Sequence, residues 1–448
     1  MPSIRCERLA SYVLVQCVVT LLALLLPSLG HAATRTICVT ADILTDDSGN
    51  IVNGTTEDYW STADNAGETT GYPLRGVRIE LKKNNGTGAS IGTFDTHPTS
   101  GCTVVTNATT GPYQVIVYGY ATDSGGNHIR IHDGGTATDV NYPGATYSYG
   151  FLNVYLSGAA LTLKLDATAD ERWTTFAAAA QTLYRFHDGL AGKTISIGFD
   201  ELSSCSSSSS YDSSNSYIQS GAGYSLVKIA RCATNQTKRK FLVAHEVGHT
   251  IGRQHYGYNG GDLKNSTYPN SAPCTSGGSY GMDSAEHNSI GFAEGYAWFV
   301  SAAVWNDRAV PGVVTRNGAV WDLANGPNMD AAGGHIWNVC TSDRDEEGVS
   351  TNFDWLRFFW DFYNETHCTY GPPSNYDMQE IYKYTRENHR TGSYVIEDGT
   401  SPPANLHLAV ANTLANTLSV PLAGCWISTP MDHNCVGGLK LDGSRCNS

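Results

Sequence analysis

The chain has 448 residues, enough for about two to four domains. Its 42 acidic and 28 basic side chains leave a net charge of -14, which argues against nucleic acid or an anionic membrane surface as a partner, since both need a cationic face. Only 16% of residues are charged, while Tyr, Trp and Gly number 25, 9 and 47; this balance excludes a coiled coil or a disordered chain and suits a β-rich globular protein.

Residues 1–32 have the layout of a signal peptide. Arg5 and Arg8 precede an apolar run that Pro27 breaks, and Gly30-His31-Ala32 supplies small residues at a cleavage site. The expected location is therefore secreted or periplasmic, with no stable membrane insertion after the signal is removed. Of 12 cysteines, Cys6 and Cys17 leave with the signal. The others contain no C-x-x-C pair, so on an exported chain they are expected to form disulfides. Cys38 with Cys102, Cys205 with Cys232, and one pair among Cys425, Cys435 and Cys446 would each stay inside one domain.

Residues 33–165 are expected to form an accessory β-sandwich. Val77 to Lys82 alternates apolar and charged residues, the period of a half-buried strand, and Tyr113 to Tyr120 is a second β-rich run. A domain over 166–400 follows. Thr168 to Glu171 is a capping box, and Trp173, Phe176, Ala177, Ala180 and Tyr184 then recur at helical spacing. Ile195, Ile197 and Phe199 mark a strand, residues 203–216 a Ser-rich surface loop, and Tyr224 to Ala230 a strand expected to be an edge open to an extended peptide. Helices are expected from Thr237 to Ile251, Ile290 to Trp305, Asn352 to Tyr363 and Asp377 to His389. In the third of these, Trp355, Phe358, Phe359 and Phe362 read as core. Residues 401–448 hold one more helix, through Leu406, Val410, Leu414 and Leu418, and a Cys-rich tail. The fold class is α+β.

One segment carries chemistry. His245-Glu246-Val247-Gly248-His249 is an H-E-x-x-H motif. On a helix, positions i and i+4 share a face, so both imidazoles can bind one zinc ion, with Glu246 beside them as general base. Tyr280, His287, Tyr296 and His335 are further polar candidates for a cleft, each more readily explained by a structural role.

The motif resembles the zincin metallopeptidases, which implies a zinc cofactor and hydrolysis of peptide or protein substrates. The third ligand has two readings. His249-Thr-Ile-Gly252-Arg-Gln-His255 is similar to the metzincin extension, in which the helix stops at Gly252 and His255 turns back to the metal, with Met282 as the Met-turn. Residues 293–299, Ala-Glu-Gly-Tyr-Ala-Trp-Phe, resemble instead the second helix of gluzincins, with Glu294 as ligand. Glu294 is favoured because an acidic residue within an apolar helix needs a partner. Where gluzincins place an aspartate four residues on, this chain has Trp298. Residues 73–117 resemble prealbumin-like, carboxypeptidase-regulatory-type domains, which implies an accessory role. The reading is a secreted zinc metalloendopeptidase with Glu246 as catalytic base and His245, His249 and Glu294, or alternatively His255, as ligands. The competing reading is a surface or adhesion protein with a structural zinc; the carboxylate of Glu246 argues against it.

Overall fold

The computed structural model describes residues 33–41, 72–98, 100–122, 128–131, 147–158, 160–165, 172–186, 194–200, 210–211, 217–219, 222–230, 240–256, 286–305, 349–350, 352–364, 378–379 and 381–382. The N-terminal part is built of strands: β1 (Ala33–Ala41), β2 (Tyr72–Pro73), β3 (Val77–Lys83), β4 (Ser90–Asp95), β5 (Cys102–Ala108), β6 (Tyr113–Thr122), β7 (His128–Ile131), β8 (Ser148–Val154) and β9 (Ala160–Leu165). Then come α1 (Arg172–Arg185), β10 (Thr194–Asp200), β11 (Ser210–Tyr211), β12 (Tyr217–Gln219), β13 (Ala222–Ala230), α2 (Lys240–Tyr256), β14 (Glu286–His287), α3 (Asn288–Trp305), β15 (Val349–Ser350) and α4 (Asn352–Asn364). A β-sheet region followed by a helical region makes the fold α+β, as expected.

The alternation seen in the sequence is the burial pattern of the strands. In β3, Val77, Ile79 and Leu81 are fully buried, while Arg78, Glu80 and Lys82 point the other way. In β6, Tyr113, Val115, Val117 and Ala121 are buried in the same manner. Successive side chains of a strand leave on opposite faces, so each strand offers one apolar row to a core. Ile37, Val39, Val105 and Leu163 from the sheet of β1, β2, β5 and β9 join that same apolar cluster. On the polar face the groups satisfy one another. Tyr118 Oη donates to Glu80 at 2.6 Å, and Arg78 donates to Asp95 at 3.0 Å while lying over the Tyr120 ring.

The antiparallel register of β1 and β5 sets Cys38 opposite Cys102, and the two are joined as a disulfide. A disulfide suits an oxidising compartment outside the cytoplasm. No helix among the described residues is long and apolar enough to cross a membrane. The signal segment, the other expected disulfides, the capping box, the helix through Leu406 and the Cys-rich tail lie outside the described residues. Within 377–389, only Met378, Gln379, Ile381 and Tyr382 are described.

The larger sheet runs β11-β13-β10-β7-β6-β3-β4, with β12 also on β13 and β8 on β6. The pairings β7–β10 and β10–β13 are parallel. Parallel neighbours need a crossover, and between β7 and β10 it includes α1, which packs on β7 and on α2. Trp173, Phe176, Ala177 and Ala180 of α1 are buried as their spacing implies. One expectation is corrected here: Tyr224 to Ala230 is not an edge. β13 has β10 on one side and the antiparallel β11 and β12 on the other. The short outer strands lie in and just after the Ser-rich segment, where no apolar alternation marks a strand.

Candidate metal site

Two helices, α2 and α3, carry the site, and α4 packs against α3. α2 buries Val243, Ala244, Val247 and Ile251 in the core, and α4 buries Trp355, Leu356, Phe358, Phe359, Trp360 and Phe362. Between them lies α3, in which Phe292, Tyr296, Phe299 and Val300 are buried. Rings lock α3 to α4: Phe292 meets Trp355 edge-on at 4.9 Å and Tyr296 meets Phe359 at 5.4 Å.

Two glycines set how closely these helices approach. A Cβ on Gly248 of α2 would lie 3.1 Å from the Ala297 carbonyl oxygen and 3.1 Å from Val300 Cβ on α3. A Cβ on Gly295 of α3 would collide with Trp355 Cβ and lie 2.9 Å from the Asn352 carbonyl oxygen on α4. Gly248 immediately precedes His249, and Gly295 immediately follows Glu294. The positions of closest backbone approach therefore adjoin the polar side chains that the helices bring together.

Those side chains are His245, His249 and Glu294. His245 Nε2 is 3.1 Å from His249 Nε2, and Glu294 Oε2 is 3.3 Å from each of them. Among the described residues this is the one group of three or more His, Cys, Asp or Glu side chains placed to hold a metal ion. The triangle suits zinc. Metal–ligand bonds of about 2.0–2.1 Å in a tetrahedron put neighbouring ligand atoms roughly 3.3–3.4 Å apart. Two imidazole nitrogens with one carboxylate oxygen are also a donor set that zinc accepts.

The electrostatics agree. Burial, reinforced by the charge of His249, pushes the His245 pKa down to about 4 against the pull of Glu294, so this ring is neutral at pH 7. Burial works to raise the pKa of Glu294. The charge of His249 and hydrogen bonds from both histidines outweigh it and hold the carboxyl below its usual range. A carboxylate in an apolar helix thus has the partners it needs. A neutral His245 imidazole and an ionised Glu294 carboxylate are forms that ligate a metal; a metal ion taken up here would displace the proton that gives His249 its charge.

The neighbouring residues sort as follows. Glu246 is buried at 5% exposure, and its backbone carbonyl accepts a hydrogen bond from Thr250 Oγ1 at 3.3 Å. The helix stop expected at Gly252 is absent, for α2 continues to Tyr256. Gly252 is instead a packing position: a Cβ there would lie 2.7 Å from Tyr382 Cε1 and 3.3 Å from Tyr296 Cε1. The backbone of residue 255 is therefore carried about 9 Å further along the helix axis than residue 249 instead of turning back. Tyr296, a polar candidate in the sequence, belongs to the core: it is 1% exposed and stacked on Tyr382 at 3.9 Å. His287 lies in β14, paired with β15, while Tyr280, Met282 and His335 lie outside the described residues.

Trp298, which the sequence sets where gluzincins place an aspartate, is a neighbour of the site. The Trp298 ring lies over the His245 imidazole, with centroids 3.7 Å apart and planes inclined by 32°. The spacing of four from Glu294 was the available signal, since it puts both residues on one face of α3. No model of a known protein family matches this chain, and no curated protein matches it.

Proposed function

We propose that this chain is an exported, zinc-dependent metallopeptidase of the zincin type that hydrolyses peptide bonds in peptides or proteins. The observation that carries the reading is the His245–His249–Glu294 triangle, with edges of 3.1 to 3.3 Å, on helices where Glu246 follows the first histidine. His245 and His249 offer Nε2 and Glu294 offers Oε2, which leaves one position of a tetrahedron open, the arrangement of catalytic sites. A zinc ion bound there supplies Lewis acidity for a peptide carbonyl and lowers the pKa of water. Glu246 accepts the proton of the attacking water on its carboxylate and delivers it to the amide nitrogen as the C–N bond breaks. An extended peptide aligns along the outer strands β11 and β12, on the side of β13 away from β10. The Cys38–Cys102 disulfide supports a location outside the cytoplasm.

The test separates ligand from base. Elemental analysis of the purified protein is expected to show about one zinc per chain, lost in Glu294→Ala and kept in His255→Ala. Glu246→Gln keeps zinc, while hydrolysis of a generic peptide substrate falls by about 10²–10⁴-fold. Near-normal turnover in Glu246→Gln overturns the mechanism. Zinc-loaded protein with no hydrolysis of any peptide points to the structural-zinc alternative.

A further inference from the structure

A histidine that ligates a metal through Nε2 carries its proton on Nδ1. That N–H usually goes to a carboxylate or carbonyl, which fixes the ring's rotation. His245 departs from this pattern: its Nδ1 is buried and has no hydrogen-bond partner among the described residues. Nε2 meets Glu294 Oε2 at 3.3 Å and His249 Nε2 at 3.1 Å, which leaves something other than a hydrogen bond to support the Nδ1 side of the ring.

The faces of the imidazole show what does. One contact is the edge of His249, with ring centroids 4.5 Å apart and planes at 80°. The other is the Trp298 ring at 3.7 Å, its plane inclined by 32°. At a centroid distance of 3.7 Å and this inclination the imidazole presents a face to the indole, so the contact works through the rings' faces. Trp298 is one helical turn beyond Glu294, and its side chain packs against the hydrophobic core. A single face of α3 therefore supplies both an oxygen opposite His245 Nε2 and a flat wall beside its ring.

We infer that Trp298 is a positioning residue, whose indole face holds the His245 imidazole in its metal-binding orientation in place of a hydrogen bond to Nδ1. The inference rests on the zinc site proposed above. Among the described residues nothing hydrogen-bonds Nδ1 of this ligand, so its outer support is the aromatic contact.

Zinc affinity, measured by chelator competition on the full exported chain, reads the effect. Trp298→Leu, which keeps apolar bulk but removes the aromatic face, is expected to weaken zinc binding by about 10–100-fold, the usual effect of losing a ligand's outer support. Trp298→Phe restores a ring face and is expected to recover most of the affinity. The Co²⁺-loaded protein should show altered ligand-field bands in Trp298→Leu and wild-type bands in Trp298→Phe. A second readout needs no variant: the His245 ring protons of the zinc-loaded wild type should resonate upfield of ordinary metal-bound histidine, owing to the indole ring current. Equal zinc affinity in folded Trp298→Leu and wild type, or unshifted His245 resonances, overturns the inference while leaving the zinc site standing. A wild-type protein that takes up no zinc, or takes it up unchanged in His245→Ala, overturns the site and this inference together.

Discussion

The strands β3 and β6 and the helices α3 and α4 solve burial in opposite ways. In the strands every second residue is buried, and the polar residues between them pair on the outer face, as Tyr118 does with Glu80 and Arg78 with Asp95. In the helices burial runs most of the way round: α3 buries Phe292, Tyr296, Ala297, Phe299, Val300, Ala302, Ala303 and Val304. A polar side chain in the sheet always has a wet face available. In the helical layer His245 is buried, His249 and Glu294 are half-buried, and the three turn to each other. In the sheet region the charged side chains pair on an outer face; in the helical region one set of them converges on a single point.

The sharpest way to break this contrast is to weaken the sheet and watch the helices. Removing the Cys38–Cys102 bridge by paired Cys→Ala substitution releases a loop of sequence separation 64 and is expected to cost about 2–5 kcal/mol in denaturant unfolding. Zinc affinity of the folded protein should stay within about twofold, since the bridge joins β1 to β5 and the ligands lie on α2 and α3. A large loss of affinity would show that the two regions are not energetically separable.

Gly248→Ala tests the contrast from the other side, with a smaller cost. One methyl group between α2 and α3 meets atoms 3.1 Å away and is expected to destabilise the fold by about 1–3 kcal/mol, as overpacking does. Here zinc affinity should fall as well, because any shift that relieves the clash moves His249 from Glu294. Unchanged affinity with lowered stability would mean that the helix spacing does not set the ligand triangle.

The smallest effect belongs to the polar face of the sheet. The Tyr118 hydroxyl, helped by Ser90 and Lys82 and opposed by desolvation, lowers the Glu80 pKa from its ordinary 4.5. The stabilisation this carries is present above about pH 4.5 and is lost as pH falls through the lowered value. Burial and then Glu80 push the Tyr118 pKa up to about 12 from 10, so its contribution is present below pH 10 and lost as pH rises through about 12. Tyr118→Phe should flatten both slopes of a stability-versus-pH curve, by no more than about 0.5–1 kcal/mol after solvent screening. An unchanged acid limb would remove Glu80 from the account.

Much of this architecture was legible locally. Alternation at Val77–Lys82 and Tyr113–Tyr120 marked β3 and β6, and helical spacing marked α1 to α4 to within a few residues, because the side-chain periods of strand and helix differ. The pairing of Cys38 with Cys102 followed from keeping a bridge inside one region. The i, i+4 spacing of His245 and His249 by itself put two imidazoles on one helix face.

The rest depended on how the elements meet. A Gly at 252 reads equally well as a helix end or as a packing position, and only the rings of Tyr382 and Tyr296 against it decide for packing. Tyr224 to Ala230 has the pattern of an edge strand or an interior one, and the choice rests on β11 and β12, which carry no apolar signal of their own. Glu294 lies 45 residues beyond His249 in the chain. What brings its oxygen within 3.3 Å of both histidines is the close contact of α2 and α3 at Gly248. The same contact lays Trp298 on His245. Periodicity along a chain specifies which face a residue occupies; which faces touch is set by packing between elements, where the size of a single side chain decides the distance.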